Sequence, residues 1–282
     1  MKWRTLVIVL MTVQIATFGQ ATDTLYIWPD KVPGEAVPKH SAVISSNNGG
    51  NTTRIAEVTN PVLVRFDPKP DVKNKGAFVV CPGGGYSILA IDKEGYEIAE
   101  WLTSIGYTAF VLQYRVPQKQ AGALMDVQRS IRVVRSHASD WQLDKDRIGV
   151  MGFSAGGSLS SRASTLYSEQ TYPAQDAIDT VSCKPDFTML IYPAYLDKGE
   201  NRSLTPELKV DKNTPPMFIF ATADDPYSNS ALVMATALRD AKVPVELHIL
   251  PKGGHGYGLR KGSLAGETWP VLAEKWLKRT DK

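Results

Sequence analysis

The stretch GVMGFSAGGSL, residues 149–159, sets a serine between glycines at both two-residue offsets, directly after an apolar run. Gly152, Phe153, Ser154, Ala155 and Gly156 fill the pattern G-x-S-x-G. Two readings compete. One is an incidental serine in a glycine-rich strand-to-helix turn. The other is a sharp turn that strains the serine backbone and lifts its hydroxyl clear of a sheet. Glycines at those offsets lack a Cβ, so strand and helix can approach the turn closely. The pattern alone is common. The rest of the chain decides, by whether it supplies an oxyanion-binding loop, an acid and a histidine in a compatible order.

Outward from the serine, short apolar runs alternate with helical stretches. The runs are residues 77–81, 108–114, 148–153, 187–192, 217–221 and 245–250. Amphipathic segments lie between them at 98–105, 125–137, 155–167 and 231–241, with a last helix at 269–278. In 125–137 the 3.6-residue period is clear: Val127, Ile131 and Val134 form one stripe, and Arg129, Arg132 and Arg135 lie away from it. Strands alternating with helices imply an α/β fold, a mostly parallel, doubly wound sheet with helices on both faces. Residues 25–28 and 62–66 read instead as antiparallel N-terminal edge strands, separated by Pro, Gly and Asn. Little chain remains for a cap; residues 166–183 and 197–214 are the candidate lids.

The loop after the run 77–81 reads CPGGGY. Three consecutive glycines, Gly83 to Gly85, let backbone N–H groups face a cavity without side-chain clash. Acyl transfer needs such donors, because charge builds on the carbonyl oxygen of its tetrahedral transition state. The partner donor is expected at Ala155, the residue after the serine. Of four histidines, His40 precedes the α/β pattern, His137 ends a helix ahead of the serine, and His248 sits within a strand. His255 lies in the glycine-rich loop PKGGHGYGL after the last strand, where a parallel sheet keeps its chemistry. The acid is expected between serine and histidine. Asp224 and Asp225 both follow the run 217–221; Asp224, the nearer to the strand, is the expected acid and Asp225 the alternative. Tyr86, Tyr227 and Tyr257 flank these loops and are expected to offer aromatic faces to a substrate.

Bulk properties narrow the class. A net charge of +3 over 282 residues, with Lys2 and Arg4 at the N-terminus and the remaining charges interspersed, leaves no footprint for nucleic acid. Lys2, Arg4 and the apolar residues 6–15, followed by Gly19 and Ala21, read as a secretory signal over 1–21, with cleavage near Gln20 or Thr22. The apolar run is too short for an ordinary span, so no stable membrane insertion is expected. Residues 22–282 are then one catalytic domain, periplasmic or secreted, its oligomeric state open. Cys81 and Cys183 are expected as buried free thiols. No two histidines have metal-ligand spacing, so no metal is expected.

Four pieces in the order loop, Ser, Asp, His are far more specific than any one. With CPGGGY, YRV, DRIGVMGFSAGGSL, TPPMFIFATADDP and VPVELHILPKGGHGYGL, the chain resembles the α/β-hydrolase superfamily. Within it the chain is similar to bacterial esterases related to hormone-sensitive lipase and to acetyl-xylan and feruloyl esterases. Pro82 stands where the lipase-like branch usually has His, which favours the carbohydrate-esterase branch. The resemblance implies the α/β-hydrolase fold with a minimal cap, nucleophile Ser154, acid Asp224, base His255, oxyanion donors at Gly84 and Gly85, and a cofactor-free acyl-enzyme mechanism. It also implies an acylated saccharide, acetylated xylan first, as substrate. Feruloyl or general short-chain ester hydrolysis is the near alternative. A dipeptidyl-peptidase-type serine peptidase lacks its propeller here, and a non-catalytic binding module would not need the triad.

Overall fold

The computed structural model describes residues 21–45 and 51–280. Residues 1–20, which carry most of the expected signal segment, lie outside the described residues. The chain builds strands β1 (Asp23–Tyr26), β2 (Val43–Ile44), β3 (Ile55–Ala56), β4 (Val62–Phe66), β5 (Ala77–Cys81), β6 (Thr108–Gln113), β7 (Ile148–Phe153), β8 (Thr188–Ile191), β9 (Met217–Thr222) and β10 (Val245–Leu250). The helices are α1 (Glu97–Ser104), α2 (Gln120–Ser136), α3 (Ala155–Thr165), α4 (Asn229–Asp240) and α5 (Leu264–Thr280), and a wide helical turn, Asp92–Tyr96, runs into α1.

Eight strands form one sheet in the order β1-β4-β6-β5-β7-β8-β9-β10, and β2 pairs with β3 apart from it. The expected edge is present: β1 and β4 run antiparallel, and every pairing from β6 to β10 is parallel. The central strands are apolar on both faces because both are covered; β5 and β7 are buried throughout. α1 and α5 share one face, where Trp101 meets Trp269 edge-on and Phe218 packs on Trp276. α3 and α4 lie on the other, where Ser164 of α3 bonds Thr188, and Leu190, Ile219, Met234 and Leu238 form a cluster. Burial of a side chain of this size contributes about 1.5–3 kcal/mol.

Two expectations shift. α2 begins at Gln120, five residues before the expected start at 125. Its first turn is held from outside, by the Arg115 guanidinium donating to the Gly122 carbonyl at 2.8 Å. Residues 166–183 do not act as a lid over the serine. Arg129 pairs with Asp176 and Asp179, Arg132 donates to Tyr172, and Arg135 donates to the Ser182 carbonyl, which pins this segment along α2. The arginines away from the apolar stripe thus fasten a long loop. Cys81 and Cys183 are buried free thiols, as expected.

Candidate active site

Ser154 sits between the end of β7 and the start of α3 with φ 53° and ψ −117°. A non-glycine residue in this region is strained by about 1–3 kcal/mol, and the surroundings must hold it there. They do. The Ser154 N–H donates to the Ile191 carbonyl at the end of β8, and the Ser154 carbonyl accepts from Ser158 and Ala194. The flanking glycines are steric necessities: a Cβ on Gly156 would lie 2.0 Å from the Cys81 carbonyl oxygen, and one on Gly152 as close to the Gly156 carbonyl. The turn therefore exists only because strand, helix and neighbouring strand meet at van der Waals distance.

The loop after β5 lies against this turn. A Cβ on Gly83 would stand 2.9 Å from the Ser154 Cβ. The Gly83 N–H is already engaged, donating to Glu94 Oε2 at 2.8 Å. Among the described residues the N–H groups of Gly84 and Gly85 have no protein acceptor. Ala155, the first residue of α3, has no carbonyl one turn earlier within its helix to take its N–H. Among the described residues, the N–H groups of Gly84, Gly85 and Ala155 are thus left without a protein acceptor in the turns that adjoin Ser154.

His255 reaches the serine from the loop after β10. Its Nε2 is 2.8 Å from Ser154 Oγ and its Nδ1 is 2.7 Å from Asp225 Oδ2. With the proton on Nδ1, the ring donates to Asp225 and accepts from the serine hydroxyl, satisfying both contacts. The Asp225 side chain is fully buried, and its second oxygen accepts the Tyr227 N–H at 2.8 Å. His40, His137 and His248 are engaged elsewhere, with the Ser41 carbonyl, Asp140 and Glu246.

The expected acid is corrected by one residue. Asp224 turns away from the ring: its carboxylate accepts the N–H groups of Gly253 and Gly254 at about 3 Å, on the exposed side of the turn. The bond from Gly254, foremost among these, holds its carboxyl below the ordinary range. The turn closed by the Asp225 N–H on the Thr222 carbonyl sends successive side chains to opposite sides, and only Asp225 points inward.

The tyrosines separate as well. Tyr86 and Tyr257 are 4% and 7% exposed, so both are mainly packing residues rather than the open faces expected of them. Tyr257 packs edge-on against Tyr192 at 4.4 Å. Tyr227 is half-buried, 5.0 Å from the His255 ring, and meets Tyr195 edge-on at 5.4 Å. Tyr195, which carried no sequence signal, bridges Tyr227 and Tyr86. Two further residues escaped the sequence reading. Tyr192 packs edge-on to His255 at 5.0 Å, and its hydroxyl donates to Glu94 Oε1 at 2.9 Å. Glu94 is 4% exposed, and burial pushes its carboxyl above the ordinary range. A glutamate in a polar stretch, DKEGYE, looks like solvated surface until the loop folds over it. Among the described residues no group of three or more His, Cys, Asp or Glu could hold a metal ion, and no helix is long and apolar enough to cross a membrane.

Comparison with known proteins bears on the fold and the family. The family described as BD-FAE matches residues 66–189. The crystal structure of an acetyl ester-xyloside bifunctional hydrolase from Caldicellulosiruptor lactoaceticus is similar at 32% identity and a TM-score of 0.74, over 94% of this chain and 98% of that one. An acetylxylan esterase of Xylanibacter ruminicola is 31% identical over 215 residues, 67% of this chain and 42% of that protein. An endo-1,4-β-xylanase B of Butyrivibrio fibrisolvens is 32% identical over 224 residues, 70% of this chain and 34% of that protein. The chain thus spans less than half the length of these two relatives.

Proposed function

We infer that this chain, which belongs to the esterases of the α/β-hydrolase superfamily, is a serine carboxylic ester hydrolase that removes acetyl groups from xylan-type polysaccharides. The observation that carries the reading is the unbroken line of hydrogen bonds from buried Asp225 through His255 to Ser154. In this reading Ser154 Oγ attacks the ester carbonyl carbon while its proton passes to His255 Nε2. Asp225 keeps the ring oriented and stabilises the imidazolium that forms. The carbonyl oxygen becomes an oxyanion held by the N–H groups of Gly84, Gly85 and Ala155, each such donor contributing about 3 kcal/mol. The bond from carbonyl carbon to sugar oxygen then breaks, and the sugar alkoxide takes the proton from His255. Water, deprotonated by the same nitrogen, attacks the acyl-serine and releases acetate.

The acetyl-xylan assignment is supported by the names of the similar proteins and by the half-buried ring of Tyr227 beside His255, an aromatic surface on which a sugar ring can lie. With residues 166–183 fastened to α2, no helical cap among the described residues covers the serine, and a long acyl chain gains little burial; each CH₂ left in water forgoes about 0.8 kcal/mol. The N-terminal signal supports export to the periplasm or medium. The test is kcat/KM on aryl acetate, butyrate, octanoate and feruloyl esters, with acetate release from acetylated xylan measured in parallel. Acetate is expected to lead. A preference for octanoate or a feruloyl ester overturns the acyl assignment, and comparable cleavage of a dipeptidyl amide overturns the esterase class. N-terminal sequencing of the exported protein should begin near Gln20 or Thr22; a start at Met1 removes the signal reading.

A further inference from the structure

The oxyanion loop and the histidine loop come from opposite ends of the chain, yet both hang from the turn Asp92–Tyr96. Glu94 Oε2 accepts the Gly83 N–H at 2.8 Å. Its Oε1 accepts the Tyr192 hydroxyl at 2.9 Å, and that hydroxyl in turn accepts the Gly258 N–H at 3.1 Å. Lys93, the preceding residue, donates its ammonium to the Gly256 carbonyl at 3.0 Å, next to His255. The Gly258 carbonyl accepts from Trp269 Nε1 at 2.8 Å, so Gly258 is tethered at both ends of its backbone.

A buried carboxyl is costly unless its oxygens are used. Among the described residues no arginine or lysine bonds either oxygen: both face an N–H or O–H of the active-site framework. A Cβ on Gly83 would lie 2.6 Å from Glu94 Oε2, so the carboxyl presses against the loop backbone. Rotation of the Pro82–Gly83 peptide would break its bond to Glu94 and release the entry to the loop that carries the Gly84 and Gly85 N–H groups. The next peptide, which carries the Gly84 N–H, is held through the Gly83 carbonyl by the Ala90 N–H at 2.9 Å, so Glu94 and Ala90 fix the two successive peptides that lead into the Gly84 and Gly85 donors.

We propose that Glu94 is a positioning residue, which with Tyr192 locks the oxyanion loop to the histidine loop so that donors and base are set against Ser154 together. This rests on the ester hydrolase reading. Glu94 touches neither substrate nor reacting atoms; it acts through Gly83 and, by way of Tyr192, through Gly258. Removing the lock misplaces transition-state donors and leaves ground-state binding intact, so the loss falls on kcat.

The experiment compares wild type, Glu94→Ala, Glu94→Gln and Tyr192→Phe on aryl acetate, with kcat and KM resolved and folding checked by circular dichroism. Glu94→Ala is expected to lose about a hundredfold in kcat, the scale of one oxyanion donor, with KM within about threefold. Glu94→Gln keeps an oxygen for the Gly83 N–H and is expected to recover at least about tenfold of that loss. Tyr192→Phe keeps the ring contacts and is expected to lose about tenfold in kcat. A Glu94→Ala kcat within about threefold of wild type, a Gln variant as impaired as Ala, or a loss carried by KM overturns the proposal. Should Glu94→Ala not fold, Tyr192→Phe decides: lowered kcat at constant KM upholds the lock, and wild-type kcat overturns it. An inactive wild type counts against the ester hydrolase reading; an active wild type matched by its variants counts against the lock alone.

Discussion

Two glycine-rich turns meet at the same hydrogen bond, and they use glycine for different reasons. At the serine turn the need is space: Cβ atoms on Gly152 or Gly156 would collide with backbone carbonyls at 2.0 Å. At the centre of the histidine loop the need is conformation: Gly254 and Gly256 have φ of +65° and +73°, with nothing within 4 Å of a Cβ, while Gly253 and Gly258 on either side are crowded. One turn is rigid because three elements are wedged together. The other is an open arc whose position is set by tethers, from Asp224 to Gly253 and Gly254, from Thr222 to the Gly254 carbonyl, and from Tyr192 to Gly258. A strained nucleophile has to be wedged, whereas a base that exchanges protons with two partners needs only to be aimed.

The largest predicted effect removes the wedged residue's function and leaves the wedge. Ser154→Ala should lower aryl-acetate kcat by about 10⁴-fold or more with unchanged folding, because the catalytic group acts as a unit. Retention of a tenth of wild-type activity would remove Ser154 from the mechanism. Next comes the aim of the base. Asp225→Asn should cost about 10³–10⁴ in kcat through the wrong imidazole tautomer, whereas Asp224→Asn, which keeps an oxygen for the Gly253 and Gly254 N–H groups, should cost less than about tenfold. Equal or reversed losses would show that the tether and the triad acid are wrongly divided.

The contrast between space and conformation is tested by alanine at each turn. Gly156→Ala should destabilise by about 3 kcal/mol through overpacking, a fall in Tm of about 6–10 °C. Gly254→Ala should destabilise by only about 1–2 kcal/mol, the left-handed penalty, with its kcat falling by about tenfold as His255 moves. Similar Tm losses at both positions would end the distinction. The smallest effect is a null result. Burial pushes the Cys81 thiol up to about 12, beneath the serine turn, and raises the Cys183 thiol as well. At pH 8 the Cys81 thiolate fraction is about one part in ten thousand. A disulfide exchange reagent should label neither thiol in the native protein and both in denaturant; native labelling of Cys81 would mean that the wedge opens.

The elements legible before the structure are those with local causes. Strand periodicity gave β4 to β10 with small shifts at their ends, since apolar runs bounded by Gly, Pro and Asp identify buried parallel strands whatever surrounds them. The stripe of Val127, Ile131 and Val134 located α2 but not its first turn, which Arg115 holds from another segment. Ser154 and His255 were visible because each lies in a turn whose glycines have a local reason. The acid was visible only as a pair: Asp224 and Asp225 are adjacent and chemically alike, and the direction of each side chain depends on the turn that Asp225 closes on Thr222.

Glu94 marks the limit most clearly. In sequence it is one charged residue among Asp92, Lys93 and Glu97; in the fold it is buried with both oxygens engaged. The order loop, serine, aspartate, histidine, and with it the fold class and the proposed chemistry, follows from residue types and their spacing, because strand, turn and glycine preferences act within a few residues. Which aspartate meets the histidine, which tyrosine keeps an open face, and which acid bonds the loop at Gly83 follow from contacts between segments up to 163 residues apart, as Lys93 and Gly256 are. Side-chain direction and burial at such contacts are set by packing, and no local preference encodes them.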